Sequence, residues 1–296
     1  MSNTSENNKR IAKNTLMLYG RMFLLLAISL YTSRVILRTF GIVDYGINNV
    51  VGGVITMFSF LTSAMATSTQ RYITFYIGKG DAVELHKVFS LAVWIHALIA
   101  ILIAILGETI GLWFVLNKLV IPAERMSAAL WVYHLSIISS MVSIISVPYN
   151  ATIIAHEKMN AFAYISILEA VLKLVIVFLL VISPFDKLIV NSVLFLFVSL
   201  LIRYIYGHYC SKHFEESSLY IPKDKNLFVK MFTFAGWNLW GNIAAVLAGQ
   251  GLNMLLNMFF GPAVNAARGV AMQIQGTVNQ FSTNFQAAIN PQITKT

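Results

Sequence analysis

The chain has 296 residues, of which 57% are hydrophobic and only 11% charged, with a formal net charge of +9 and a mean hydropathy of +0.72. A soluble domain carries about a quarter charged residues, so a water-soluble globule of this size is excluded. The basic surplus does not read as a nucleic-acid footprint, because Lys and Arg sit in short segments between apolar runs, as in a membrane protein whose basic loops face the cytoplasm.

A helix needs roughly 20 apolar residues to cross a bilayer core of ~30 Å. Met1 to Lys13 is polar and no small-residue cleavage site follows the first apolar run, so no cleavable signal peptide is read. The first run covers 14–37 and closes at Phe40-Gly41; the second covers 47–75 and ends before Gly78-Lys79-Gly80-Asp81. Runs at 88–115 and 126–153 flank the turn residues Asn117 to Pro122, and the run at 161–183 follows Ala155 to Asn160. Ser183-Pro184 leads into a run at 187–209. The polar stretch from Ser211 to Lys230 is the longest connection and the expected lobe boundary. Runs at 229–259 and 262–290 complete the chain, separated by Gly261-Pro262. The pattern predicts an all-α integral membrane protein of about eight transmembrane helices.

Loop charges set the orientation. Lys9, Arg10, Lys13, Arg71, Lys79, Lys87, Lys158, Lys212, Lys223, Lys225, Lys230 and Lys295 fall on one side; Arg38, Lys118, Arg125, Lys187 and Arg268 fall on the other. The richer side is expected to face the cytoplasm, with both termini inside. A weak repeat is also present. Phe40-Gly41 and Phe260-Gly261 each close a run and precede a long span rich in hydroxyls or amides, at a period of about 220 residues. Residues 1–217 are therefore expected to form a six-helix lobe. Residues 218–296 are expected to be the first two helices of a pseudo-repeated second lobe that is left incomplete.

Several segments resemble a known family. They are Ser33-Arg34-Val35-Ile36-Leu37, the stretch from Phe40 to Gly53, Ser68-Thr69-Gln70-Arg71-Tyr72 with Gly78-Lys79-Gly80-Asp81, and Leu168-Glu169-Ala170-Val171-Leu172-Lys173-Leu174. Together they resemble the Wzx-type polysaccharide (O-antigen) flippases of the multidrug/oligosaccharidyl-lipid/polysaccharide exporter superfamily. The resemblance implies transport of an undecaprenyl-pyrophosphate-linked oligosaccharide across the bacterial cytoplasmic (inner) membrane, in lipopolysaccharide or other polysaccharide biosynthesis. Partners implied are the lipid-linked oligosaccharide, membrane lipid, and a polysaccharide polymerase and glycosyltransferases, with no nucleic acid.

Charges inside a span are costly and mark cavities or partners. Arg34 and Arg38 share one face of the first run, and Arg21 projects roughly 140° away from Arg34 on a straight helix. A guanidinium fork suits a pyrophosphate, so Arg34, with Arg38, is the expected headgroup contact, and Arg71 stands at the mouth of the second run. Glu169 and Lys173 are spaced i, i+4 on one face. They are read either as a neutralised structural pair or as a substrate-facing lysine with Glu169 as the coupling residue. Amides recur in the last two runs, at Asn253 and Asn257 and at Gln273 and Gln280. They are read either as interhelical glue or as the lining of a sugar-accommodating cavity.

The six histidines and the lone Cys210 show no metal-ligand spacing, and no phosphate-binding loop is present. No metal, cofactor or catalytic residue is expected, nor enzymatic activity. A lipid-linked oligosaccharide flippase is the leading reading. Alternatives are a cation-coupled multidrug exporter or lipid II flippase of the same superfamily, or a non-transporting membrane assembly partner. The first apolar run contains arginines and no acid, which favours an anionic substrate over a cationic drug.

Overall fold

The computed structural model describes the backbone of residues 2–221 and 224–295. Side chains are described from Leu16 onward, except at positions 60, 222–223, 238–239, 245, 277–278 and, beyond 279, all but 283 and 286. Every regular element among these residues is helical: α1 (Ser2–Thr56), α2 (Ser59–Lys79), α3 (Ala82–Leu106), α4 (Leu112–Asn117), α5 (Met126–Ala155), α6 (Met159–Ile182), α7 (Lys187–His213), α8 (Lys225–Val246), α9 (Leu252–Phe260) and α10 (Pro262–Lys295). A π-turn at Gly107–Gly111 joins α3 to α4, and a second at Leu247–Gly251 joins α8 to α9. Among the described residues six segments are long and apolar enough to cross a membrane: Leu16–Thr56, Ala82–Asn117, Ala123–Ala155, Met159–Ile182, Lys187–His213 and Lys225–Phe260. The two further long helices, α2 and α10, are more polar.

The expected runs map onto these helices with two differences. The break between the first two is a single residue. Gly41 adopts φ +76° and ψ 174°, a conformation open to glycine, and helix resumes at once. The second run is itself interrupted at Met57-Phe58, where Phe58 N–H bonds Ile55 O at 3.1 Å in a tightened turn. The repeat read from Phe40-Gly41 and Phe260-Gly261 is expressed in the backbone: Gly261 has φ +76° and ψ −175°, nearly the conformation of Gly41. Pro262 then opens α10, at a position where its missing N–H costs nothing.

Two residues stop α2 and start α3. Gly80 is left-handed, and its N–H and that of Asp81 return to Ile77 O and Tyr76 O, closing a Schellman motif. Asp81 then caps α3 by accepting from Glu84 N–H at 3.1 Å. At the π-turn, the Tyr133 hydroxyl reaches over from α5 and donates to Gly107 O at 2.6 Å, adding a second donor to the carbonyl that already accepts from Leu112 N–H. Gly111 is required beside it, because a Cβ there would lie 2.2 Å from the same hydroxyl.

α5 lies at the centre of the bundle, against α7, α3 and α2, while α1 packs along α10 and α6, and α2 along α8. One apolar cluster joins α2, α3, α5, α6 and α7 around Phe89, Tyr149 and Leu180. A second surrounds Ile47, Val51, Tyr133 and Leu188 near the Gly41 bend. Beside that second cluster Arg125 forms a clasp. Its Nε and Nη2 donate to the two carboxylate oxygens of Asp44 at 2.8 and 2.7 Å, and its Nη1 donates to Asp186 at 2.6 Å. Asp186 also caps α7 through Leu188 N–H and Ile189 N–H. The Arg125 hydrogen bond holds the Asp186 carboxyl below its ordinary range.

The polar stretch after α7 differs from the exposed linker its composition predicts. From Phe214 to Tyr220 it is docked on α3 and the end of α5. His86 Nε2 meets Ser218 O at 2.5 Å, the Trp94 indole donates to Tyr220 O at 3.1 Å, and His156 stacks on Phe214. Glu216 is buried, 2.6 Å from His156 Nε2. Burial pushes its carboxyl upward, but the hydrogen bonds from His156 and from its own backbone outweigh this and leave it below its ordinary value. Removing the carboxylate with Glu216→Ala should therefore cost about 1–3 kcal/mol and speed proteolytic cleavage between Ser211 and Lys230. The sign in pH follows from the lowered value. The latch holds at neutral pH and gives way only as the pH falls below the ordinary carboxylate value of 4.5. Equal cleavage of the variant and the parent at neutral pH would show that the contact holds nothing.

Candidate functional site

A cavity of about 580 Å³ opens between α1, α5, α6, α7 and α10. From α1 it takes Arg21, Leu25, Ile28, Ser29 and Thr32, spaced so that they fall on one helical face. From α6 it takes Phe162, Ser166, Glu169 and Lys173, again one face. Asn150, Phe195, Tyr206, Gln273 and Gly276 complete the walls.

Three charged side chains line this space. Lys173 Nζ and Glu169 Oε1 are 2.6 Å apart, and the ammonium also stands 5.6 Å from the Phe195 ring centre. Arg21 enters from α1. Its guanidinium lies over the Phe162 ring at 4.3 Å, and its buried Nε has no hydrogen-bond partner. Formally the pair on α6 cancels and Arg21 leaves the cavity positive. Thr32 Oγ1 and Asn150 Oδ1 are also buried without partners. An arginine fork, hydroxyls and an amide converging on one space can hold an anionic headgroup bearing several oxygen acceptors.

Gln273 closes the cavity against α1. Its amide donates to Ser29 O at 2.9 Å and Ser29 Oγ at 2.6 Å, and it accepts from Ser33 Oγ at 2.5 Å. A second, smaller cavity of about 280 Å³ lies nearer the start of α10, between Asn48, Asn49, Thr56, Gln250, Asn253 and Arg268. There Asn253 accepts from Asn265 Nδ2 through both its backbone and side-chain oxygens, at 2.7 Å each. Arg268 Nη2 donates to Gly249 O at 3.3 Å, while its buried Nε is unpartnered.

The structure sorts the residues singled out in the sequence. Glu169, Lys173 and Gln273 meet in the larger cavity, and Asn253 lines the smaller. Asn257 is fully buried and serves a loop instead, accepting from Val120 N–H at 2.9 Å. Arg34 and Arg38 are exposed and line neither cavity, and Arg71 stacks on Phe234 at 4.4 Å. Gln280 lies outside the residues whose side chains are described. Of the arginines of α1, Arg21 lines the larger cavity and Arg34 does not. Arg268 is not a loop charge, because α10 begins at Pro262 and Arg268 already stands in its second turn. Arg203, in the middle of α7, was not singled out; it stacks at 3.9 Å on Tyr149, whose neighbour Asn150 lines the larger cavity. Among the described residues no group of His, Cys, Asp and Glu is placed to hold a metal ion.

No family model matches the sequence, and no curated protein matches it. Solved structures do match the fold. The chain is similar to the MATE multidrug transporter DinF-BH, with a TM-score of 0.84 at 14% identity, over 97% of this chain and 65% of that one. It is similar to the Vibrio cholerae MATE transporter VcmN in its bent form, with a TM-score of 0.72 at 15% identity, over 100% and 67% of the two chains. A multidrug resistance MATE family transporter of the MOP superfamily, in an outward-facing conformation, gives a TM-score of 0.69 at 11% identity, over 96% and 69%. The fold is that of the MATE transporters, and the chain spans about two thirds of their length.

Proposed function

We propose that this chain forms the substrate-holding part of a multi-pass transporter of the MOP superfamily. In this reading it carries an undecaprenyl-pyrophosphate-linked oligosaccharide across the bacterial cytoplasmic membrane by alternating access, with both termini in the cytoplasm. The observation that carries the reading is Arg21, a guanidinium inside a spanning segment that stacks on Phe162, forms no ion pair among the described residues and faces a polar cavity. A lone cation at bilayer depth is costly unless an anion meets it, and a pyrophosphate presents the paired oxygens that a guanidinium fork grips. Lys173 adds a second cation, with Glu169 placed to neutralise or release it and so to couple transport to a proton. The amides of the smaller cavity suit sugar hydroxyls.

A second reading, export of cationic drugs, is favoured by the multidrug transporters among the structural neighbours. It would have to use Glu169, among the described residues the only carboxylate lining the larger cavity, which is already bonded to Lys173. Binding to the purified chain separates the two. Undecaprenyl pyrophosphate is expected to raise the unfolding temperature in detergent while a cationic dye does not. Stabilisation by the dye alone would overturn the flippase reading in favour of the exporter.

A further inference from the structure

We propose that the outer surface shared by α3, its π-turn and α5 is a dimer interface, closed by the Glu108–His134 pair against the same pair of a second copy of this chain.

Glu108 stands in the π-turn Gly107–Gly111, and His134 in the third turn of α5. His134 Nδ1 and Glu108 Oε1 are 2.9 Å apart, and the two side chains are 43% and 44% exposed. Both lie within segments apolar enough to cross a membrane. Along α5, His134 is roughly 13 Å from Arg125. Exposed Trp113 and Trp131 stand about a turn nearer that end, as the residues of an interfacial belt do. The pair therefore lies on the hydrocarbon side of the belt. Its neighbours on the same face are apolar: Ile101 and Ile105 on α3 and Ile138 on α5 are all exposed. Ionisable groups at this depth belong in a bundle interior or against a partner, yet Glu108 and His134 line neither of the cavities described above.

The chemistry of the pair selects the partner. One proton between Nδ1 and Oε1 makes the contact. Whichever atom holds it, the pair is neutral, Nε2 keeps its N–H, and Oε2 keeps its lone pairs. Among the described residues neither of those two atoms has a hydrogen-bond partner. Lipid tails offer them none. A second copy related by a two-fold axis satisfies both at once, because Nε2–H of each chain donates to Oε2 of the other and closes a ring of four side chains. The match needs no other sequence, since the pair holds one donor and one acceptor and is complementary to itself. The π-turn fits this use. It inserts a residue beside Glu108 and turns the face of the helix by about 100°, and such insertions recur at functional positions.

The test uses the whole chain in phospholipid vesicles and needs no transport substrate, so it fails or succeeds apart from the flippase reading. Oxidation of Trp131→Cys should join two chains into a species of twice 33.0 kDa. Leu179→Cys, on the exposed face of α6, should give none, and the native Cys210 is buried. Glu108→Leu combined with His134→Leu leaves a face suited to lipid, so this variant should insert. Photobleaching step counts over a lipid dilution series should show its dimerisation weakened by about tenfold or more. Glu108→His combined with His134→Glu rebuilds the same ring and should restore most of the loss. A parent that stays monomeric, a leucine variant that dimerises as strongly as the parent, or a swap no better than the leucine variant would overturn the interface.

Discussion

Arg125→Ala is expected to be the most destabilising single change in the first six spans, costing roughly 2–4 kcal/mol, just under the range for fully buried pairs. The substitution removes four charge-assisted hydrogen bonds at once, two to Asp44 and two to Asp186. It also leaves two half-buried carboxylates facing each other without a cation, and their repulsion adds to the loss. The damage should spread, because the clasp ties the start of the second span to the first turns of α5 and α7. Arg125→Lys should recover only part of the stability, since one ammonium cannot grip two carboxylates in forks. The lowered Asp186 carboxyl sets the pH range. The clasp is complete above the ordinary carboxylate value of 3.8 and is lost only as the pH falls through the depressed folded value. Thermal unfolding in detergent at pH 7 measures the effect, and an alanine variant that melts with the parent would remove the clasp from the account.

Arg21→Ala is expected to have the largest effect on binding. A hydrogen bond to a charged group is worth about 1.5–3 kcal/mol, so losing the fork should weaken a pyrophosphate lipid by roughly ten- to a hundredfold. The variant should fold, because among the described residues Arg21 makes no ion pair that its removal would orphan. Arg21→Lys should restore part of the affinity, since it keeps the charge and loses the fork. Arg34→Ala should bind as the parent does, because Arg34 lies outside both cavities. Titration with undecaprenyl pyrophosphate ranks the three. If Arg34→Ala lost binding and Arg21→Ala kept it, the cavity would be the wrong site and the arginine expected from the sequence would be the right one.

That choice between arginines shows where sequence reasoning stopped. In water the apolar face of a helix marks the interior, and the polar face can be read outward from it. In a bilayer both faces are apolar, and burial between helices is won by packing rather than by hydrophobicity. The 140° between Arg21 and Arg34 was legible, but which of the two faced inward was not. That is settled by Ser29 and Thr32 sharing the Arg21 face and by Gln273 reaching Ser29 from α10, a contact between residues more than two hundred positions apart. Glu169 and Lys173 were legible, since i, i+4 spacing is a local property. Gly41 and Gly261 were legible as a repeat, because their conformation depends on their own missing side chains. Arg268 was counted among the loop charges although it falls inside the run read at 262–290, and the structure sets it in the second turn of α10. The docked linker was hidden by its composition. Glu216 is buried where His156 from the end of α5 meets it, and Ser218 is held by His86 from α3, contacts between distant helices that composition does not show.

The joint at Gly80 and Asp81 has a consequence for how the chain enters its membrane. α2 carries Ser63, Thr67, Ser68, Thr69, Gln70 and Arg71 along its length and is not among the segments apolar enough to cross on their own, whereas the segment it adjoins, Ala82–Asn117, is. Two residues, both committed to capping, leave no slack for the helices to part company during synthesis. α2 therefore partitions together with α3 as one antiparallel hairpin, its cost of transfer offset by its neighbour. Lengthening this joint with flexible residues would leave every contact in the finished bundle intact and still strand α2 at the membrane surface, so a defect there would surface during biogenesis while the folded protein showed none.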